Sequence, residues 1–146
     1  MSVTIDRMRW WDIEALEPLE AQLFGDDRWS AAMFWNELAS GHYYLVARDG
    51  AEVVGYAGLS VGDTEAWVQN LAVRADRQRH GIGTRLLEAL LDEVRRRGVR
   101  AVLLEVAVDN AAAQRIYGRY GFEPVGIRRG YYQPSNTDAV VMRRDA

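Results

Sequence analysis

The chain has 146 residues, 49% of them apolar and 27% charged, with a net charge of −3; this excludes disorder and predicts one packed domain over residues 1–146. No apolar run approaches the ~20 residues of a membrane helix, and Met1 to Asp12 has no signal-peptide core, which leaves the cytoplasm as the expected compartment and no membrane partner. Cysteine and lysine are both absent, all 18 basic residues being arginine, so disulfides, acyl-cysteine intermediates, thiolate zinc sites and Schiff-base lysines fall away, and the acidic balance argues against direct nucleic-acid binding.

Val3 to Met8 alternates as a strand does. Asp12 is placed to cap a helix over Ile13–Phe24, with Leu16, Leu19 and Leu23 on one face, and Ser30 a second helix ending at Leu38. Tyr43–Ala47 and Val53–Leu59 read as strands around the Asp49-Gly50 turn, followed by a strand over Ala66–Val73. Thr84–Arg97 then has helical period, with Ile82, Leu86, Leu87, Leu90, Leu91 and Val94 forming the stripe, and Gly98 ends the helix. Ala101–Val108 is almost continuously apolar, the pattern of a strand covered on both faces. Asp109 or Asn110 starts a helix that Gly121 stops, and Phe122–Ile127 and Ala139–Met142 read as the last strands. The strand–helix–strand unit from Ala66 to Val108 implies a parallel pair with a right-handed crossover. The predicted fold is α/β (α+β): a mixed central sheet of about seven strands with helices on both faces.

Between the fourth strand and the long helix lies Gln78-Arg79-His80-Gly81-Ile82-Gly83-Thr84. Two glycines let the backbone approach a ligand, and the unpaired amides of a helix start suit a phosphate. Arg77, Arg79 and Arg85 add positive charge. The alternative is a plain strand-to-helix turn in which glycine only relieves strain. Glu105 sits inside the apolar run Val102–Val106. A carboxylate there either pairs with one of the many arginines or is desolvated, which would make it a better proton acceptor. Asn110, Gln114 and Tyr117 share one face of the next helix. A phenol on that face can act as a general acid, or be one more core aromatic.

The spacing Gln78-x-x-Gly81-x-Gly83, with Asn70-Leu71-Ala72-Val73 before it, resembles the coenzyme A motif of the GNAT superfamily. The string Leu104-Glu105-Val106, Asn110, Ala113, Tyr117, Gly121-Phe122 and the later Arg128-Arg129-Gly130-Tyr131-Tyr132 are similar to the ribosomal-protein alanine N-acetyltransferase (RimI-type) branch. The resemblance covers almost the whole chain. It implies acetyl-CoA as co-substrate, held by Leu71, Ala72, Val73, Arg79, His80, Gly81, Ile82, Gly83, Thr84 and Asn110. It implies Glu105 as base, Tyr117 as acid, an oxyanion site at the backbone near Val73, and Tyr131 and Tyr132 narrowing a groove for a peptide. The implied partner is a protein N-terminus, an alanine of a ribosomal protein. Two positions depart from the branch: Ala107 stands where arginine is usual, and Arg28-Trp29 where Pro-Trp is usual. Neither falls on the proposed acid, base or cradle; both bear on peptide preference. The rival readings are acetylation of a small amine and a non-catalytic acyl-CoA-binding module. His42 and His80 lack metal-ligand spacing, the five tryptophans read as core and groove walls, and Arg143-Arg144 as a solvated end.

Overall fold

The computed structural model describes residues 2–145. The elements follow the predicted order: β1 (Val3–Arg7), α1 (Ile13–Phe24), α2 (Ala31–Ala39), β2 (Tyr43–Asp49), β3 (Glu52–Val61), β4 (Glu65–Val73), α3 (Ile82–Arg97), β5 (Ala101–Ala107), α4 (Ala111–Arg119), β6 (Glu123–Tyr132) and β7 (Thr137–Asp145). They form one seven-stranded sheet in the order β1-β2-β3-β4-β5-β7-β6. Among the described residues only β4 and β5 pair in parallel, with α3 as the crossover between them. Among the described residues no helix is long and apolar enough to cross a membrane.

Each sheet face has its own core. The α3 stripe of Ile82, Leu86, Leu87, Leu90, Leu91 and Val94 packs with Leu45, Ala57, Leu59, Leu104 and Val106, and Tyr117 of α4 joins it. On the other face Ile13, Leu16 and Leu19 of α1 and Phe34 of α2 cover Tyr44, Val46, Tyr56 and Ala72. Alternation along the strands sends neighbouring residues to opposite cores, so a strand such as β3 is buried over most of its length.

Ser30 caps α2, its hydroxyl accepting from the Met33 amide at 3.3 Å. Asp12 precedes α1 but does not cap it; its carboxylate accepts from the Arg9 amide at 2.8 Å and pairs with Arg48 at 2.8 Å. A buried carboxylate is better satisfied by a guanidinium than by one amide. Arg143 is exposed and Arg144 half-buried, and β7 carries both alongside β5 as far as Asp145. The tryptophans also divide: Trp10, Trp11 and Trp35 are exposed, with Trp10 stacked on Trp35, while Trp29 packs against Phe34.

One irregularity interrupts β4. Leu59 pairs with Val68 and Gly58 with Asn70, which leaves Gln69 as an extra residue in the strand. A bulge of this kind bends its strand and increases its twist.

Candidate active site

Beyond the bulge β4 leaves β5. The parallel pairing ends at Val68 and Leu104, yet β4 continues on β3 to Val73, and β5 continues on β7 to Ala107. The facing edges of Gln69–Val73 and Glu105–Ala107 therefore have no strand between them. A cavity of about 320 Å³ opens in this gap. From the α1 side it is lined by Glu20, Leu23, Phe24 and Trp29, and from the α4 side by Asn110, Ala113 and Tyr117. Glu105 on β5 and Tyr117 on α4 thus meet the same space.

Glu105 is not left alone. Its carboxylate forms an ion pair with Arg128 of β6, and its side chain is 10% exposed. Of the two alternatives open for this carboxylate, the structure has the pairing with an arginine: β6 crosses close enough to β5 for Arg128 to reach it. Tyr132 donates from its hydroxyl to the Glu105 carbonyl at 3.3 Å. The Tyr131 phenol also faces the carboxylate; burial first, and the charge of Glu105 second, push its pKa up. Tyr117 is 8% exposed and packs edge-on against Phe122, and burial pushes its pKa up to about 12. It is both a core aromatic and a cavity wall. Asn110 caps α4, accepting from the Ala113 amide at 3.1 Å, and lines the cavity too.

The glycine loop lies at the far end of β4. Gln78 donates from Nε2 to the Val73 carbonyl at 3.0 Å and so ties the loop to the strand. Arg79 and Gly81 take positive φ, 67° and 81°, a turn that brings the chain straight into α3. The Arg85 amide bonds the Gly81 carbonyl at 3.0 Å, so the amides of Ile82, Gly83 and Thr84 precede the helix's own ladder and are open to an anion. Arg79, His80 and Arg85 are exposed around this turn. Ile82 offers only its backbone, because its side chain is buried in the core. Arg77, expected to add charge here, is held by Asp49 at 2.5 Å. Leu71 and Val73 pack toward α3 and Ala72 toward α1. The open amides, the glycines and the two arginines fit a diphosphate group.

A second cavity of about 410 Å³ adjoins the first and shares Asp27, Trp29, Gln69, Glu105 and Tyr132 with it. Tyr131 and Tyr132 stand at its wall, rings 5.0 Å apart, and Arg128 lies 4.5 Å over Tyr131. The segment after α1 meets the β6–β7 turn here, where Ser135 donates to Asp27 from its amide at 2.9 Å and its hydroxyl at 2.5 Å. Glu20 is buried at 2% exposure; it accepts from Tyr56 and from the Trp29 amide at 2.7 Å, and desolvation pushes its pKa up. That bond holds Trp29 as a groove wall. The two departures prove to be site positions: Ala107 lines the cavity, two residues beyond Glu105 on the same strand face, and Arg28 lines the groove. Asp27 and Gln69 carry no sequence signal of their own. Arg128 stands in the Arg128-Arg129-Gly130-Tyr131-Tyr132 string that resembles the branch, and a carboxylate in an apolar strand needs a partner.

The profile of the acetyltransferase (GNAT) family matches residues 5–122. The chain is 49% identical to the N-alpha-acetyltransferase RimI of Mycobacterium tuberculosis, covering 99% of this chain and 93% of that one. It is 36% identical to the [ribosomal protein bS18]-alanine N-acetyltransferase of Escherichia coli over 78% of each chain. The crystal structure of the E. coli ribosomal-protein-S18-alanine N-acetyltransferase superimposes with a TM-score of 0.90, at 32% identity over 99% of this chain and 94% of that one. Members of this family transfer acetyl groups from acetyl-CoA. The chain belongs to the acetyltransferase (GNAT) family, in its RimI-type N-alpha-acetyltransferase branch.

Proposed function

We propose that this enzyme, acting in the cytoplasm as one domain over residues 1–146, acetylates the N-terminal α-amine of a protein, an alanine of ribosomal protein S18. The carrying observation is that Glu105 and Tyr117 line one gap that opens into the groove under Tyr131 and Tyr132. The acceptor name comes from the relatives; the groove supports an extended chain end over a compact small amine.

Acetyl-CoA supplies the activated acetyl group. Leu71–Val73 offer strand-edge amides to it, and one near Val73 is aimed to stabilise the oxyanion. Arg79–Thr84 cradle its phosphates, with Asn110 at the other wall. Glu105 accepts a proton from the α-amine, directly or through a water. An α-amine has a pKa of ~7.7–8.0, so a modest base suffices. Tyr117 donates toward the leaving sulfur. The chain has no cysteine, so both substrates are held together and transfer is direct.

The test is a panel of peptides differing in their first residue, read by mass spectrometry after incubation with acetyl-CoA. The alanine-starting peptide should be acetylated at its α-amine. An N-terminally blocked peptide with an internal lysine should not react, and equal or faster reaction there would refute the acceptor assignment.

The cradle has its own test. A ligand at a hundredfold excess over Kd adds about 2.7 kcal/mol to stability, so acetyl-CoA should raise Tm by roughly 5–10 °C in a chain of this size. A Cβ at Gly83 would sit 3.5 Å from Val73 Cγ2, an ordinary contact, so Gly83→Ala should fold. Gly83→Val adds bulk where the phosphate must approach and should remove most of the shift. No shift in the wild type would overturn the cradle.

A further inference from the structure

A polar network stands behind the bulge. Tyr44 of β2 is buried, and its ring lies across β3 at Gly58, where a Cβ would collide with it. Only glycine at that position lets the ring pass. The hydroxyl then reaches two groups: Glu37 Oε1 of α2 at 2.8 Å and the carboxamide of Asn70. The same Glu37 oxygen accepts from Gln69 Nε2 at 3.2 Å. His42 Nδ1 lies 3.0 Å from it, within ion-pair range but out of hydrogen-bond alignment. Both bulge residues, Gln69 and Asn70, are therefore tied to α2.

A single proton decides how Asn70 is turned. Burial first, and the charge of Glu37 second, push the Tyr44 pKa far above the ordinary phenol value, so the group is neutral and carries one proton. Glu37 is the stronger claimant, because a bond to a carboxylate is roughly twice as strong as one to a neutral oxygen. With Oδ1 of Asn70 toward Tyr44, two acceptors would share that proton. A half-turn of the amide removes the conflict and moves no other atom. The amide nitrogen then donates to Tyr44, and the oxygen points away from it. Asn70 is opposite Gly58, which is opposite Tyr44, so its side chain leaves the sheet on the α1–α2 face. It lines the same cavity as Glu105 and Tyr117.

We infer that Asn70 is an amine-binding residue: its carboxamide oxygen, oriented by Tyr44 and Glu37, accepts a hydrogen bond from the α-amine of the incoming chain. This rests on the reading that the acceptor is an α-amine. Once Glu105 has taken a proton, the neutral amine keeps two N–H groups and one lone pair. Anchoring one N–H on Asn70 fixes where the lone pair points, which is the condition for attack. Tyr44 and Glu37 are positioning residues that act through Asn70.

The experiment is a double-mutant cycle on the alanine-starting peptide, with Asn70→Leu, Tyr44→Phe and the pair. Asn70→Leu should lower kcat/KM for the peptide by about tenfold, the scale of one hydrogen bond to a polar or charged group. The KM for acetyl-CoA and the acetyl-CoA thermal shift should not move. Tyr44→Phe should cost several-fold in the wild-type background and nothing further beside Asn70→Leu, because its effect passes through that amide. Asn70→Ala repeats the removal with a smaller side chain should the leucine variant not fold. Unchanged peptide kcat/KM in a folded Asn70 variant overturns the inference, as do fully additive losses in the cycle. A wild type that acetylates no peptide α-amine at all would instead strike the acceptor reading itself.

Discussion

Tyr117→Phe is expected to lower kcat by about 10²–10³-fold, the usual loss when a preorganised donor to developing charge is removed, with acetyl-CoA binding intact. The ring remains to pack on Phe122, and only the hydroxyl goes. The direction of the Tyr117 shift defines its role more closely. Burial holds the phenol at about 12, against ~8.5 for a thiol. Handing the proton over completely would be uphill by about 5 kcal/mol at ~1.36 kcal/mol per unit. Its contribution is then a hydrogen bond that strengthens as charge builds on sulfur, with the proton following late. Because the pKa is raised, the hydroxyl keeps its proton at all pH values below about 12. The alkaline side of the kcat profile should therefore show no fall near pH ~10, where an ordinary phenol ionises. Undiminished kcat in the variant, with chemistry shown to be rate-limiting, would return Tyr117 to a packing role.

Glu105→Gln keeps the shape of the side chain and removes the base. Its kcat/KM on an alanine-starting peptide should fall by about 10²-fold on the acid side, a typical value for a positioned acid–base group. The loss should shrink as pH rises through ~7.7–8.0, where the α-amine sheds its proton unaided. A lysine side chain, at ~10.4, has no such help: deprotonating it at pH ~7.8 costs about 3.5 kcal/mol. The substitution also removes one partner of the Arg128 ion pair. Arg128 is 55% exposed, and exposed pairs contribute ~0–1 kcal/mol, so the melting temperature should change little. Parallel pH profiles for the two enzymes would leave Glu105 as a structural carboxylate.

These residues were visible in the sequence because their signals are local. A lone glutamate in an apolar strand, a tyrosine two helical turns after an asparagine and two glycines before a helical stripe each sit within a few residues of their context. The order of elements, the bounds of α1 and the end of α3 were legible for the same reason, since one period governs each segment, whereas α3 begins at Ile82, two residues before the expected Thr84. What could not be read is what the fold brings together from far apart. Arg128 is 23 residues from Glu105, and Ser135 is 108 from Asp27. The bulge at Gln69 was hidden as well, because a strand read from composition over Ala66–Val73 carries no register and only the pairing against β3 exposes the extra residue. The exposed Trp10, Trp11 and Trp35 were misplaced by composition alone, as large aromatics are buried more often than not.

The gap between β4 and β5 is lined from both faces of the sheet, by Trp29 and Glu20 on the α1 side and by Asn110 and Tyr117 on the α4 side. The two substrates of the proposed reaction would thus have separate doors. Neither needs to arrive first for the other to enter, and neither spent product stands in the other's exit. After transfer the acetylated chain end can withdraw past the tyrosines while the spent thiol still lies along β4. Turnover in such an enzyme is governed at each door separately, and a bulky acceptor as large as a ribosomal subunit would obstruct only one of them.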